Sequence, residues 1–304
     1  MDIARIDPSL REATTKAPVL NLENRLALAL ITRGSRFIPG ARVEGVERRL
    51  VRDGGVKLRV YTPPNPSGAG LLWVHGGGLV LGAAAMDDTF CGETARDLGV
   101  TLVSVGYRLA PRHPFPAALD DAHAGWEWML RHAAELGLDV SRLAVGGQSA
   151  GGGIAASLVQ RLHDEGVALA GQWLFCPMID DRTAADRSRD ADAHFVWNNR
   201  SNLVGWRSYL GAAPGAAELP PYAAAARRAD VAGLPATWIY TSDVELFYDE
   251  DIEYARRLRE AGVDVTVDVV SGVPHGFEAY AADTTLAREL IARGRAWLRE
   301  RLAS

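Results

Sequence analysis

Eight short runs rich in apolar and β-branched residues punctuate this chain, and the later ones lack the polar–apolar alternation of a half-exposed strand. VEGVERRLV (43–51) and VKLRVYTP (56–63) flank Asp53-Gly54-Gly55, the signature of a hairpin turn. GLLWVH (70–75), TLVSVGY (101–107), RLAVGG (142–147), GQWLFC (171–176), ATWIYTS (236–242) and VTVDVV (265–270) follow. Strands that are apolar throughout are covered on both faces, which is the condition of a parallel sheet. Helical patterns at 87–98, 117–136, 150–165, 248–261 and 283–302 separate them. An antiparallel start followed by repeated strand–helix units predicts an α/β fold: a mostly parallel sheet with helices on both faces.

Several classes of function fall away on composition. With 48% hydrophobic and 23% charged residues, the 304-residue chain is neither disordered nor fibrous. Its 33 basic and 38 acidic residues give a net charge of −5, and the basic ones are scattered arginines apart from Lys16 and Lys57. No basic patch marks a nucleic-acid surface. Cys91 and Cys176 share no CxxC or His-rich context and read as buried, inert thiols. The first apolar run, Leu26 to Ile31, is too short and too late for a signal peptide, and no stretch reaches the ~18 apolar residues of a membrane helix. The expectation is a cytoplasmic protein with no membrane partner.

Two stretches break the strand–helix rhythm. Residues 1–40 hold a helical pattern, NLENRLALALITRG, ahead of any strand, and residues 178–234 separate two strands by far more than a crossover needs. An insertion of that length is usually functional. The expected division is 1–40 as N-terminal cap helices and 41–304 as the catalytic domain, with 178–234 as an insertion contributing to the cap. Phe195, Trp197, Trp206 and Tyr209 in that insertion, together with Gln148, are candidates for a substrate pocket.

Gly147-Gln148-Ser149-Ala150-Gly151 follows one apolar run and opens a helical one. As a bare pattern it arises by chance in about one such chain in eight, but strand–turn–helix is the setting a nucleophile elbow requires. Gly147 and Gly151 would make room for a sharp turn that exposes the Ser149 hydroxyl; the competing structural reading is an ordinary helix N-cap. His75-Gly76-Gly77-Gly78 directly follows the strand LLWV. Consecutive glycines leave backbone N–H groups unobstructed, so Gly76 and Gly77, joined by the N–H of Ala150, are candidate oxyanion donors. A phosphate loop is excluded by the absence of GxxxxGK[ST] and of any nearby lysine.

At HGGG (75–78), Tyr107-Arg108-Leu109-Ala110-Pro111, Gln148-Ser149-Ala150-Gly151-Gly152, Asp249-Glu250 and His275-Gly276-Phe277, the chain resembles the hormone-sensitive-lipase-like (bacterial family IV) esterases of the α/β-hydrolase superfamily. The resemblance covers nearly the whole chain. It implies an eight-stranded sheet, an N-terminal helical cap, no metal or other cofactor, and activity on short acyl esters. His75, Gly78, Gly147 and Gly151 are then supporting motif positions. The superfamily order of nucleophile, acid and base leaves His163, His194 and His275 as candidate bases. His275 follows the last strand and a loop and matches the family's HGF, so it is the expected base. The family's acid lies five positions before the Glu of its Asp-Glu pair, which here is Glu245 in place of the usual Asp; Asp243, two residues earlier, stays open as the rival. Gln148 also departs from the family, which usually has Asp before the serine. The YRLAP run and Asp180-Asp181 read as structural, with no spaced ligands for a metal.

These residues predict a serine carboxylesterase acting on short-to-medium acyl esters through Ser149, His275 and Glu245. An amide, lactone or carbamate hydrolase would use the same machinery, and a non-catalytic small-molecule receptor can be built on the same fold. The partner expected is a small-molecule ester; a homodimer stays open.

Overall fold

The Asp53-Gly54-Gly55 turn opens the sheet as the sequence implies: Asp53 pairs with Val56, and Gly54 and Gly55 take φ of 54° and 91°, as a two-residue hairpin loop demands. The computed structural model describes residues 1–17 and 22–303, so positions 18–21 of the expected N-terminal cap, and residue 304, lie outside the described residues. In chain order the elements are α1 (Arg11–Lys16), α2 (Arg25–Gly34), β1 (Glu47–Asp53), β2 (Val56–Thr62), β3 (Gly70–Val74), α3 (Asp88–Leu98), β4 (Thr101–Gly106), α4 (Ala117–Arg131), α5 (Ala133–Leu136), β5 (Leu143–Gln148), α6 (Ala150–Asp164), β6 (Gly171–Phe175), α7 (Asp181–Ala185), α8 (Asn199–Leu210), β7 (Thr237–Thr241), α9 (Tyr248–Glu260), β8 (Val265–Val269), α10 (Phe277–Tyr280) and α11 (Thr285–Ala303).

The eight strands form one sheet in the order β1-β2-β4-β3-β5-β6-β7-β8. β1–β2 and β2–β4 are antiparallel and every other pair is parallel. This is the α/β-hydrolase architecture. Two boundaries differ from the sequence reading. The first strand begins at Glu47 because Val43–Val46 close a turn, with Gly45 at φ 77°. The single helix expected over 117–136 breaks at His132, which separates α4 from α5.

Alternate side chains of each strand feed opposite faces. Leu72, Val74, Val103, Val145 and Ile239 pack beneath α4, α6 and α9 with Trp126, Leu158 and Leu258. Leu71, Trp73, Trp173, Phe175 and Trp238 pack beneath α3 and α11 with Cys91, Leu290 and Leu298. The second core is aromatic, with Trp73, Trp173, Phe175 and Trp238 in successive ring contacts of 4.8–6.3 Å. Truncating one such ring to Ala would cost about 3–5 kcal/mol.

The segments outside the rhythm gather near one edge of the sheet. Ile6 and Leu10 sink into the aromatic core, and Asp7 N–H donates to Gly272 O. On α2, Leu28 is buried and the Thr32 hydroxyl donates to Val80 O, while Leu26, Leu30 and nearby Phe37 stand exposed. The 178–234 insertion between β6 and β7 carries α7 and α8. Among the described residues no helix is long and apolar enough to cross a membrane.

Candidate active site

β5 is hydrogen-bonded on one side to β3 and on the other to β6, so the residue after Gln148 emerges between the loops that leave those strands. That residue is Ser149, held at φ 54°, ψ −123° between β5 and α6. The flanking glycines are steric requirements. A Cβ on Gly147 would lie 2.4 Å from Gly151 O, and one on Gly151 would lie 2.2 Å from Val74 O. The strained turn is over-determined by backbone bonds: Ser149 N–H donates to Phe175 O at 2.8 Å, and Ser149 O accepts from Gly153 and Met178 N–H at 3.0 Å each. The Ser149 hydroxyl makes no helix-cap bond, so the N-cap alternative does not describe it.

Its partner is His275. Ser149 Oγ lies 2.8 Å from His275 Nε2, and His275 Nδ1 lies 2.5 Å from Glu245 Oε2. The other Glu245 oxygen, Oε1, accepts from the Thr241 hydroxyl at 2.9 Å. Ser149, Glu245 and His275 are 7%, 5% and 6% exposed. Phe247 stands edge-on to the imidazole at 5.1 Å. These partners imply an Nδ1–H tautomer whose Nε2 accepts from the serine. Asp243 is engaged elsewhere: its carboxylate accepts from the Ser271 hydroxyl at 2.7 Å and from Gly272 N–H at 2.8 Å, which fixes the loop leading to His275.

The HGGG loop crosses beside the elbow. A Cβ on Gly76 would sit 3.5 Å from Ser149 Cβ, and one on Gly77, at φ 123°, would strike Leu81 O. Ala150, the first residue of α6, is fully buried beside them. His75 shapes the loop from below, donating Nδ1–H to Gly76 O at 2.7 Å and stacking on Tyr107 at 4.3 Å. Burial pushes its pKa down to about 4, so it is neutral at ordinary pH. The Tyr107 hydroxyl donates to His75 O at 3.1 Å, which gives the YRLAP run a structural part.

Of the pocket candidates, Trp197 lies against Gly78, where an added Cβ would overlap the indole ring. Trp206 and Tyr209, edge-on at 5.9 Å, pack around Leu79, Ala150 and Ile154 with a void of only about 10 Å³. Gln148 turns its amide to Glu278, Nε2 donating to Oε1 at 2.6 Å. Asp180 caps α7 and pairs with Arg182, and Asp181 pairs with Arg227, so both are structural. Sequence reasoning missed Glu278 and Thr241, and it used Glu250 only as a motif position; Glu250 accepts from Ile179 and Asp180 N–H and braces the loop after β6.

Among the described residues, one group could hold a metal: Cys176, Glu245 and His275, with ligand atoms within 4.8 Å of one another. The fit is poor. Burial pushes the Cys176 thiol up, which keeps it protonated, and the 2.5 Å His275–Glu245 hydrogen bond leaves no room for an ion between those two.

A family model described as alpha/beta hydrolase fold matches residues 71–279. The chain is 34% identical over 233 residues to an ethyl acetate hydrolase of Pseudomonas putida, covering 74% of this chain and 73% of that one. A solved bacterial heroin esterase superposes with a TM-score of 0.88 at 36% identity, covering 99% of both chains. A solved esterase of the bacterial hormone-sensitive lipase family gives 0.79 at 27% identity over 97% of this chain and 99% of that one. The likeness spans the whole sheet and both irregular segments, and the chain belongs to the hormone-sensitive-lipase-like family IV of α/β-hydrolase-fold carboxylic ester hydrolases.

Proposed function

We propose that the chain hydrolyses short-to-medium acyl esters with Ser149 as nucleophile, His275 as general base and Glu245 as the acid that orients it. The observation that carries this reading is the unbroken chain of contacts from Ser149 Oγ through the His275 ring to Glu245. His275 Nε2 takes the hydroxyl proton as Ser149 attacks the ester carbonyl, and Glu245 stabilises the imidazolium that forms. The N–H groups of Gly76, Gly77 and Ala150 are the donors we assign to the tetrahedral oxyanion. The imidazolium then protonates the departing alcohol, and water releases the acid by the same steps in reverse. Residues 1–40 and 178–234 act as a cap over this site, and the Trp197 ring beside Gly78 limits the acyl length. The ethyl acetate hydrolase among the relatives favours the same small substrates.

Hydrolysis of p-nitrophenyl butyrate and labelling by a fluorophosphonate test the assignment. Ser149→Ala is expected to lose the label and to lower kcat by about 10⁴ or more. A variant that keeps most of its activity would show that the elbow is misassigned.

A further inference from the structure

A cavity of about 270 Å³ lies beside the elbow, on the aromatic face of the sheet, and the mechanism above does not use it. Its walls include Trp73, Phe90 and Phe175, whose rings contact one another at 4.8–5.8 Å, and two carboxyl groups, Asp87 and Glu278. Gln148, the residue before the nucleophile, forms part of its wall. Its amide sits beside Gly76 on one side and Gly276 on the other.

The charges here are unbalanced. Glu278 is 5% exposed; Oε1 accepts from the neutral Gln148 amide, and Oε2 has no hydrogen-bond partner. Asp87 accepts from the Trp73 indole N–H at 2.7 Å. Neither carboxyl pairs with an arginine or lysine among the described residues, whereas Glu93, at the cavity's rim, is matched by Arg295 at 3.6 Å. Asp87 is half-buried, whereas a buried carboxylate such as that of Glu278 ordinarily persists only when a cation or several donors answer it. A cavity with acidic groups and aromatic faces has the composition that holds an organic ammonium, through charge and cation–π attraction together. A metal ion fits less well, since no three ligand groups among the described residues converge at this place.

We infer that this cavity is a subsite for the ammonium group of a positively charged ester, with Glu278 and Asp87 as counter-charges and Trp73, Phe90 and Phe175 as the aromatic wall. The inference rests on the esterase reading. Burial pushes the Asp87 pKa up to about 6 and raises that of Glu278.

The matched pair of acetylcholine and its neutral isostere 3,3-dimethylbutyl acetate tests this directly. The cationic ester is expected to show a kcat/KM about tenfold or more above the isostere. Glu278→Gln and Asp87→Asn, which keep shape and remove charge, should each bring that ratio toward one. Equal kcat/KM for the two esters in the unmodified protein overturns the inference. Calorimetric titration of Ser149→Ala with tetramethylammonium reads the subsite without catalysis. Heat of binding that vanishes in Ser149→Ala/Glu278→Gln supports the subsite even if the nucleophile assignment fails, and no binding to Ser149→Ala counts against the subsite alone.

Discussion

Ser149 holds a φ that few non-glycine residues adopt, and its hydroxyl goes to His275 instead of capping α6. Strain kept at a residue with that geometry marks chemistry more than stability. The acid is separable by mutation. Glu245→Gln keeps the hydrogen-bonding shape but removes the charge facing the imidazolium, so kcat should fall by about 10²–10⁴. Asp243→Asn only loosens a loop and should cost at most about tenfold in kcat. The reverse ranking in steady-state assays would move the role to Asp243. Sequence spacing led to Glu245 only through the family pattern, because two carboxyls two positions apart differ in where the loop turns them. The Gln148–Glu278 contact was invisible, since it joins residues 130 apart with no periodicity linking them. Asp87 carries a stability prediction of its own. Its carboxyl binds a proton more tightly in the fold than in the unfolded chain between pH 3.8 and about 6. Its contribution is therefore most favourable below 3.8 and is lost as pH rises through 6. Asp87→Asn, which keeps an acceptor for Trp73, should stabilise the fold at pH 8 by about 1–2 kcal/mol and leave it unchanged at about pH 3, as read from urea midpoints.

Elements contribute through their ends. β3, β5, β7 and β8 deliver His75, Ser149, Glu245 and His275 to one edge, and each connecting loop is tied to a neighbouring element. Tyr107, just beyond β4, bonds the carbonyl of His75 beyond β3; Asp243 beyond β7 bonds the loop beyond β8; Glu250 on α9 bonds the loop beyond β6. Strand and helix positions were legible to within a few residues because burial on both faces leaves continuous apolar runs. The ties were not legible, since a loop's partner depends on tertiary placement rather than period. Tyr107→Phe isolates one such tie. Removing the buried hydroxyl leaves His75 O short of a donor and should cost about 1 kcal/mol, a Tm drop of about 2 °C. The freed HGGG loop should lower kcat about tenfold with KM little changed, since an oxyanion donor acts mainly in the transition state. A kcat equal to that of the unmodified enzyme would show that the loop holds its shape without Tyr107.

At the scale of the whole molecule, the two cores of the sheet leave one edge for chemistry, and in the proposed reading the irregular segments cap it. The charged insertion 178–234 suggests a closed pocket, which in the proposed reading ends at Trp197, the ring that presses on Gly78. Less legible from the sequence was the outer face of α2, where Leu26 and Leu30, with Phe37 just beyond, are 71–78% exposed. A lipase that works at an oil–water interface needs a broad apolar surface, and this group of side chains is where such contact would begin. Against it, each added methylene is rewarded by about 0.8 kcal/mol only while the pocket has room. Where Trp197 ends the pocket, steric cost takes over. The expected profile on p-nitrophenyl esters is therefore a maximum within about two to eight acyl carbons, with no rate jump when triglyceride is emulsified. Trp197→Ala should move the maximum outward by about two carbons or more. Leu26→Ser/Leu30→Ser should leave the profile where it was, because those side chains face solvent and not the acyl group. Rates that climb through sixteen-carbon esters in the unmodified enzyme, or an emulsion response that disappears in the α2 variant, would replace the closed pocket with an interfacial one.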